Sequence, residues 1–253
     1  MINVLHLYYD LLNLYGENAN TRCIKEELTR SNIKVKVDLK SINDKIDFEK
    51  YDIVYIGSGS EENLKLALED ILKRKDDLKK YIESNKYLIL TGNSMDLFGK
   101  YIKTKEVKLN ALNIFDYYTE YIKEASFKNA SSDRIVGEIK GKINLIKETI
   151  IGFQNRCDYI YNIKTPLLEV EEKFSNDGTN NSEGFTYKNV YATHTIGPIL
   201  IRNPYLTDYI LNNVCKSKKL NYKIEKTTSK EAYKKYLENH HIKNNIIDNN
   251  NNK

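Results

Sequence analysis

The chain has few of the residues that build covalent staples or metal knuckles: three cysteines, Cys23, Cys157 and Cys215, in 253 residues. They are odd in number, scattered and without Cys-x-x-Cys spacing. That excludes a disulfide framework and a cysteine zinc site, and marks ordinary thiols of a cytoplasmic protein. At this length a substantial core can form without staples. No apolar run approaches the roughly 20 residues that cross a bilayer, and the apolar start, Ile2 to Leu7, has neither a basic leader nor a small-residue cleavage site, so a soluble chain with no membrane insertion is expected. An excess of one charge is also missing. Forty basic residues against 35 acidic give a net charge of +5, spread along the chain rather than gathered, which excludes a nucleic-acid footprint. The run Lys216-Ser217-Lys218-Lys219 reads as solvated surface. With only 3 Pro and 11 Gly, the abundant Asn, Lys, Ile and Tyr express a compositional bias that carries little chemistry.

What is present is strand-helix alternation. Ile2 to Tyr8 reads as a first strand, followed by a polar turn through Gly16 and a helix from about Asn20 to Arg30, capped by Asn18 or Asn20. Ile33 to Leu39 alternates with period two, as a strand near a sheet edge does, whereas Asp52-Ile53-Val54-Tyr55-Ile56 is apolar throughout after its first residue, as a central strand is. This strand runs into Gly57-Ser58-Gly59-Ser60-Glu61-Glu62, a small-residue loop whose free N–H groups could hold an anion or a developing oxyanion. Glu62 to Asn85 predicts two helices broken near Lys75-Asp76-Asp77. Such alternation implies a mostly parallel sheet with helices on both faces.

Tyr87 to Gly99 reads as a strand, a sharp turn through Gly92 and Asn93, and the amphipathic start of a helix. That geometry places a nucleophile above an α/β sheet, yet the turn offers Gly, Asn and one Ser, and no Cys. Beyond it, Tyr101–Lys108, Ile114–Ala125, Ile135–Ile146 and Glu148–Phe153 read as antiparallel hairpins extending the sheet at one edge. Asn176 to Asn181 reads as a loop, Asn189 to Thr195 as a strand containing His194, and Pro204 to Cys215 as a helix after Gly197-Pro198. One domain over 1–215 is expected. Residues 216–253 form an extension, with a short helix from Ser229 to Asn239 and an Asn-rich tail, Asn244 to Lys253, too polar to order itself.

Several of these stretches together resemble one family, the class I glutamine amidotransferase subunits of the lipid II isoglutaminyl synthase type, related to the amidotransferase domains of cobyric acid synthases. Asp10 to Asn20 is similar to the family's N-terminal signature, and Asp52 to Gly59 resembles its strand and oxyanion loop, ordinarily Gly-Gly-Gly. Arg134-Ile135-Val136-Gly137 resembles the segment whose Arg holds substrate glutamine, and Gly152-Phe153-Gln154-Asn155 resembles Gly-Phe-Glu-Asn. Tyr187 to Leu200 resembles the last strand, which ordinarily ends Thr-Tyr-Leu-His-Gly-Pro. The resemblance spans about Met1 to Cys215 and implies a flavodoxin-like α/β fold, a substrate-binding set of Gly57, Ser58, Gly59, Arg134, Gln154 and Asn155, no cofactor or metal, and a Mur-ligase-like synthetase partner in a heterodimer.

Members hydrolyse glutamine with a Cys and a His and pass ammonia to the partner, which amidates the stem glutamate of peptidoglycan. Aligned from Leu97-Phe98-Gly99, the Cys position holds Gly92 and the His position holds Ile196. Neither can supply a nucleophile or exchange a proton, so the resemblance implies a degenerate subunit. Two alternatives stay open: a hydrolase using Ser94 as nucleophile and His194 as base, and a non-catalytic protein that binds glutamine or another small amino acid.

Overall fold

The computed structural model describes residues 1–123, 125–128 and 133–240. The first half follows the periodicity of the sequence: β1 (Ile2–Leu7), α1 (Asn18–Arg30), β2 (Val35–Lys40), β3 (Ile53–Ile56), α2 (Glu61–Ile71), α3 (Lys75–Glu83) and β4 (Tyr87–Thr91). The second half holds β5 (Tyr101–Lys103), β6 (Lys108–Asn110), β7 (Tyr118–Tyr121), β8 (Ile135–Gly141), β9 (Ile150–Arg156), β10 (Asp158–Tyr161), β11 (Leu168–Glu169), β12 (Ser182–Glu183), β13 (Phe185–Tyr187) and β14 (Val190–Thr193), then α4 (Ile199–Arg202), α5 (Pro204–Ser217) and α6 (Thr228–Asn239).

The central sheet runs β13-β14-β4-β3-β1-β2. Every pairing in it is parallel except β13 with β14. Because side chains alternate across a strand, one face carries Leu5, Leu7, Val54, Ile56, Leu88 and Leu90 against α2 and α3. The other carries Ile2, Val4, Ile53, Tyr55 and Ile89 against α1 and α5. Burial on both faces explains why β3 and β4 read as unbroken apolar runs, while β2, at the edge, alternates.

Three details differ from the sequence reading. Helix α1 begins two residues early, and neither Asn18 nor Asn20 caps it: the Asn18 amide donates to Asn13 Oδ1 at 2.8 Å, and the Asn20 side chain donates to Tyr55 Oη at 2.7 Å. The hairpins do not extend the central sheet, since β13 already occupies that edge. They form a four-stranded sheet, β10-β7-β5-β6, and the separate pairs β8-β9 and β11-β12. Lastly, the segment after Cys215 packs on the domain: Tyr222 donates to Asp208 Oδ1 at 2.7 Å, Lys230 pairs with Asp208, and Tyr233 and Leu237 of α6 bury against Ile151. Asn244 to Lys253 lie outside the described residues. Among the described residues no helix is long and apolar enough to cross a membrane.

Candidate functional site

In an open parallel sheet the carboxyl ends of the strands make the binding edge, and here three loops leave that edge together: Gly57 to Ser60 after β3, Gly92 onward after β4, and His194 to Pro198 after β14. Gly92 has φ +59, a left-handed conformation that glycine adopts without steric cost. A Cβ at that position would stand 2.2 Å from Ser58 Oγ, 2.4 Å from Ser58 Cβ and 3.0 Å from Ile196 Cγ2. The three positions therefore face one another, and the space a nucleophile's side chain would need is filled by Ser58 and Ile196. Gly92 opens a 3-10 segment, Gly92–Phe98, in place of the amphipathic α-helix expected from the sequence. Tyr117 helps hold this tighter winding by donating to the Met95 carbonyl at 2.7 Å.

The loop from Gly57 to Ser60 is also engaged from within. The Gly59 N–H donates to Asn93 Oδ1 at 3.1 Å, Asn93 Nδ2 donates back to the Gly59 carbonyl at 2.8 Å, and Ser58 Oγ donates to Asn93 Oδ1 at 3.3 Å. Gly57 is required by close approach, because a Cβ there would meet the Leu12 carbonyl oxygen at 2.3 Å. Beneath the loop Glu17 is fully buried and accepts from Tyr55 and Thr91. Burial pushes its carboxyl up, against the hydrogen bonds from Thr91, Tyr55 and the Gly197 amide.

Ser94 and His194 do not form a nucleophile-base pair. Ser94 is fully buried and its Oγ donates to the carbonyls of Thr91 at 2.9 Å and Ile56 at 3.1 Å, the bonding of a structural turn residue. His194 lies just past β14, where the chain turns through the Thr193 hydroxyl, so it does not share a strand face with Ile196. Its Nε2 stands 3.3 Å from Asp158 Oδ1 and its Nδ1 3.3 Å from Glu183 Oε1. Burial and Arg156 press its pKa down, but Asp158 and Glu183 outweigh them and hold it up at about 9.

The expected substrate-binding set divides. Arg134 and Asn155 meet: Arg134 Nε donates to Asn155 Oδ1 at 2.5 Å, and Asn155 Nδ2 donates to Tyr15 Oη at 2.7 Å. Arg134 Nη1 also donates to Glu61 Oε1 at 2.8 Å, and the Cys157 thiol donates to the same oxygen at 3.2 Å. The guanidinium that the family resemblance assigns to substrate thus already holds a carboxylate of this chain. Gln154 points inward instead, donating to the Phe174 carbonyl and accepting from Arg156 Nε, each at 3.2 Å.

Sequence reasoning missed the polar cluster behind these loops. Asp96, Asp158, Glu183, His194 and Arg156 are all buried, and they come from separate strands and turns with no shared motif. Asp96 accepts from Thr119 at 3.1 Å, and burial, then Asp158, pushes its carboxyl well above the usual range. Asp158 is held low despite its burial by His194 and Arg156. Glu61 was more accessible, since it closes the small-residue loop. Asn93 too adjoins the turn, but only the fold aims its amide at Gly59.

A mostly parallel α/β sheet, with helices on both faces and its loops after β3, β4 and β14 gathered on one edge, is an architecture of the glutamine amidotransferases. Residues 3–204 match the CobB/CobQ-like glutamine amidotransferase domain, and the chain belongs to that family. It is 32% identical over 218 residues, 86% of each chain, to the glutamine-hydrolysing lipid II isoglutaminyl synthase subunit GatD of Staphylococcus aureus. It is 28% identical over 220 residues, 86% of this chain and 82% of the relative, to the GatD subunit of Streptococcus pneumoniae. A solved glutamine amidotransferase structure covers 83% of this chain and 98% of its own with a TM-score of 0.53 at 16% identity, a likeness of fold.

Proposed function

We propose that the chain is a glutamine amidotransferase-like subunit of a lipid II amidating complex, that it no longer hydrolyses glutamine, and that it serves in the cytoplasm as the scaffold of a heterodimer with a Mur-ligase-like synthetase. The observation that carries this reading is Gly92, whose missing side chain is replaced in space by Ser58 and Ile196. Acyl transfer from glutamine needs a nucleophile activated by a base, and these positions supply neither. The internal ties of Asn93 to Gly59 and of Glu61 to Arg134 support it further, because each satisfies a group that a substrate would otherwise engage. The hydrolase alternative draws no support from Ser94, whose hydroxyl is committed to two carbonyls. Binding of a free amino acid would have to displace Glu61 from Arg134.

The test is ammonia release from glutamine by the purified chain, alone and with its ligase partner. The expected outcome is a rate equal to the no-enzyme control. Release above that control, abolished by Ser94→Ala, would overturn the reading in favour of the serine hydrolase.

A further inference from the structure

We propose that Asp96, Asp158 and His194 form a buried structural site for one divalent cation of the zinc class. Each offers one ligand atom, and the three atoms lie within 4.8 Å of one another. His194 Nε2 and Asp158 Oδ1, at 3.3 Å, already stand near the separation of about 3.4 Å that two ligands of a tetrahedral zinc ion adopt at ordinary metal-ligand lengths. Asp96 Oδ2 and both His194 ring nitrogens are buried and lack a well-formed hydrogen bond, the nitrogens being close to their carboxylates but poorly aligned with them. A buried polar atom left so is costly unless something completes it.

The surroundings are those of ligands held in place. A metal-bound imidazole ordinarily gives its other ring N–H to a carboxylate, and His194 Nδ1 faces Glu183 at 3.3 Å. Glu183 is itself fixed by the Thr193 hydroxyl and the His194 amide, each at 2.7 Å. The Thr119 hydroxyl holds Asp96 Oδ1 and leaves Oδ2 free. Charge agrees: with His194 neutral, three carboxylates face the single cation Arg156, and a divalent ion brings the cluster to neutrality. Two protons, on Asp96 and His194, would balance it equally well, and the experiment separates these two arrangements. Among the described residues nothing opens the site to solvent, since all three residues are at most 2% exposed; three protein ligands leave the fourth position of a tetrahedral ion to an enclosed water, and the ion would act by joining chain segments. It would tie the 3-10 segment after Gly92 to β10 and to the turn after β14.

The tag-free chain is unfolded in guanidinium with chelator, then refolded with or without zinc chloride, passed through gel filtration and analysed for metal and melting temperature. We expect about one zinc per chain and a higher melting temperature only in the zinc-refolded sample. Cobalt substituted for zinc should show d–d bands of a nitrogen-oxygen site without thiolate charge transfer, which excludes Cys23, Cys157 and Cys215 as ligands. Asp96→Asn should lower the zinc content roughly tenfold or more, whereas Cys23→Ala should leave it unchanged. Less than about a tenth of an equivalent in folded wild-type chain, a thiolate band, or full zinc content in Asp96→Asn would each overturn the site. The wild-type stoichiometry and cobalt spectrum decide the matter even if Asp96→Asn fails to fold, and none of these readouts depends on whether glutamine is hydrolysed.

Discussion

At Gly92 a single atom decides what the site can do. Gly92→Cys alone places its Cβ 2.2 Å from Ser58 Oγ in a left-handed conformation, so it should cost about 1–3 kcal/mol in denaturant unfolding and yield no reactive thiol. The combination Ser58→Gly, Gly92→Cys and Ile196→His removes the clash and supplies a base. In it, position 92 should be labelled by an electrophilic glutamine analogue faster than Cys23, Cys157 or Cys215, with protection by glutamine, because a thiol beside an imidazole carries more thiolate. Labelling no faster than at those three would show that Gly92 is not the nucleophile position. Turnover should stay low, since Asn93 still occupies the Gly59 amide.

A second residue-scale effect belongs to His6, fully buried in β1 with its Nδ1 3.1 Å from the Thr21 hydroxyl. Burial pulls its pKa from 6.5 to about 4, with Asp10 opposing. The fold therefore favours the neutral ring: its contribution is whole above pH 6.5 and is lost as the pH falls from there through about 4. That span is worth about 3 kcal/mol. His6→Phe should make the stability difference between pH 7 and pH 4 smaller by about this amount, measured by urea unfolding, and an unchanged acid limb would refute the assignment.

Among the elements, α6 shows how a polar stretch becomes part of a domain. Thr227 caps it by accepting from the Lys230 amide, and its apolar face is anchored by Tyr233, whose hydroxyl donates to the Thr149 carbonyl at 2.7 Å before β9. Tyr233→Ala should lose about 3 kcal/mol of global stability and Tyr233→Phe about 1 kcal/mol. If both melt as the wild type does, α6 is not bound to the domain in solution. β9 links this contact to the site, because Phe153 and Ile196 exchange backbone hydrogen bonds of 2.9 and 3.3 Å.

For the whole molecule, the proposed loss of chemistry at Gly92 and Ile196 leaves the scaffold needing another reason to persist, and the proposed heterodimer would supply it. Co-purification from the native host should recover a ligase-like synthetase in a stoichiometric complex. Recovery of the free monomer alone would count against the heterodimer.

The order of strands and helices in the first half, the central place of β3, the edge place of β2 and the presence of Gly92 and Ile196 where the family resemblance expects Cys and His were all legible in the sequence. Each rests on local information: side-chain periodicity, the turn preference of glycine, or the identity of one residue in a short motif. Tertiary structure alone decided what fills the space around Gly92 and where the rest of the polar groups go. Ser58 and Ile196 close on Gly92, Asn93 turns to Gly59, Glu61 reaches Arg134, and Asp96, Asp158, Glu183 and His194 meet in the interior. Those encounters join residues far apart in the chain. They are set by the way short antiparallel strands fold back on the parallel sheet, and by the need of every buried polar atom for a partner, which no period or motif in the sequence records.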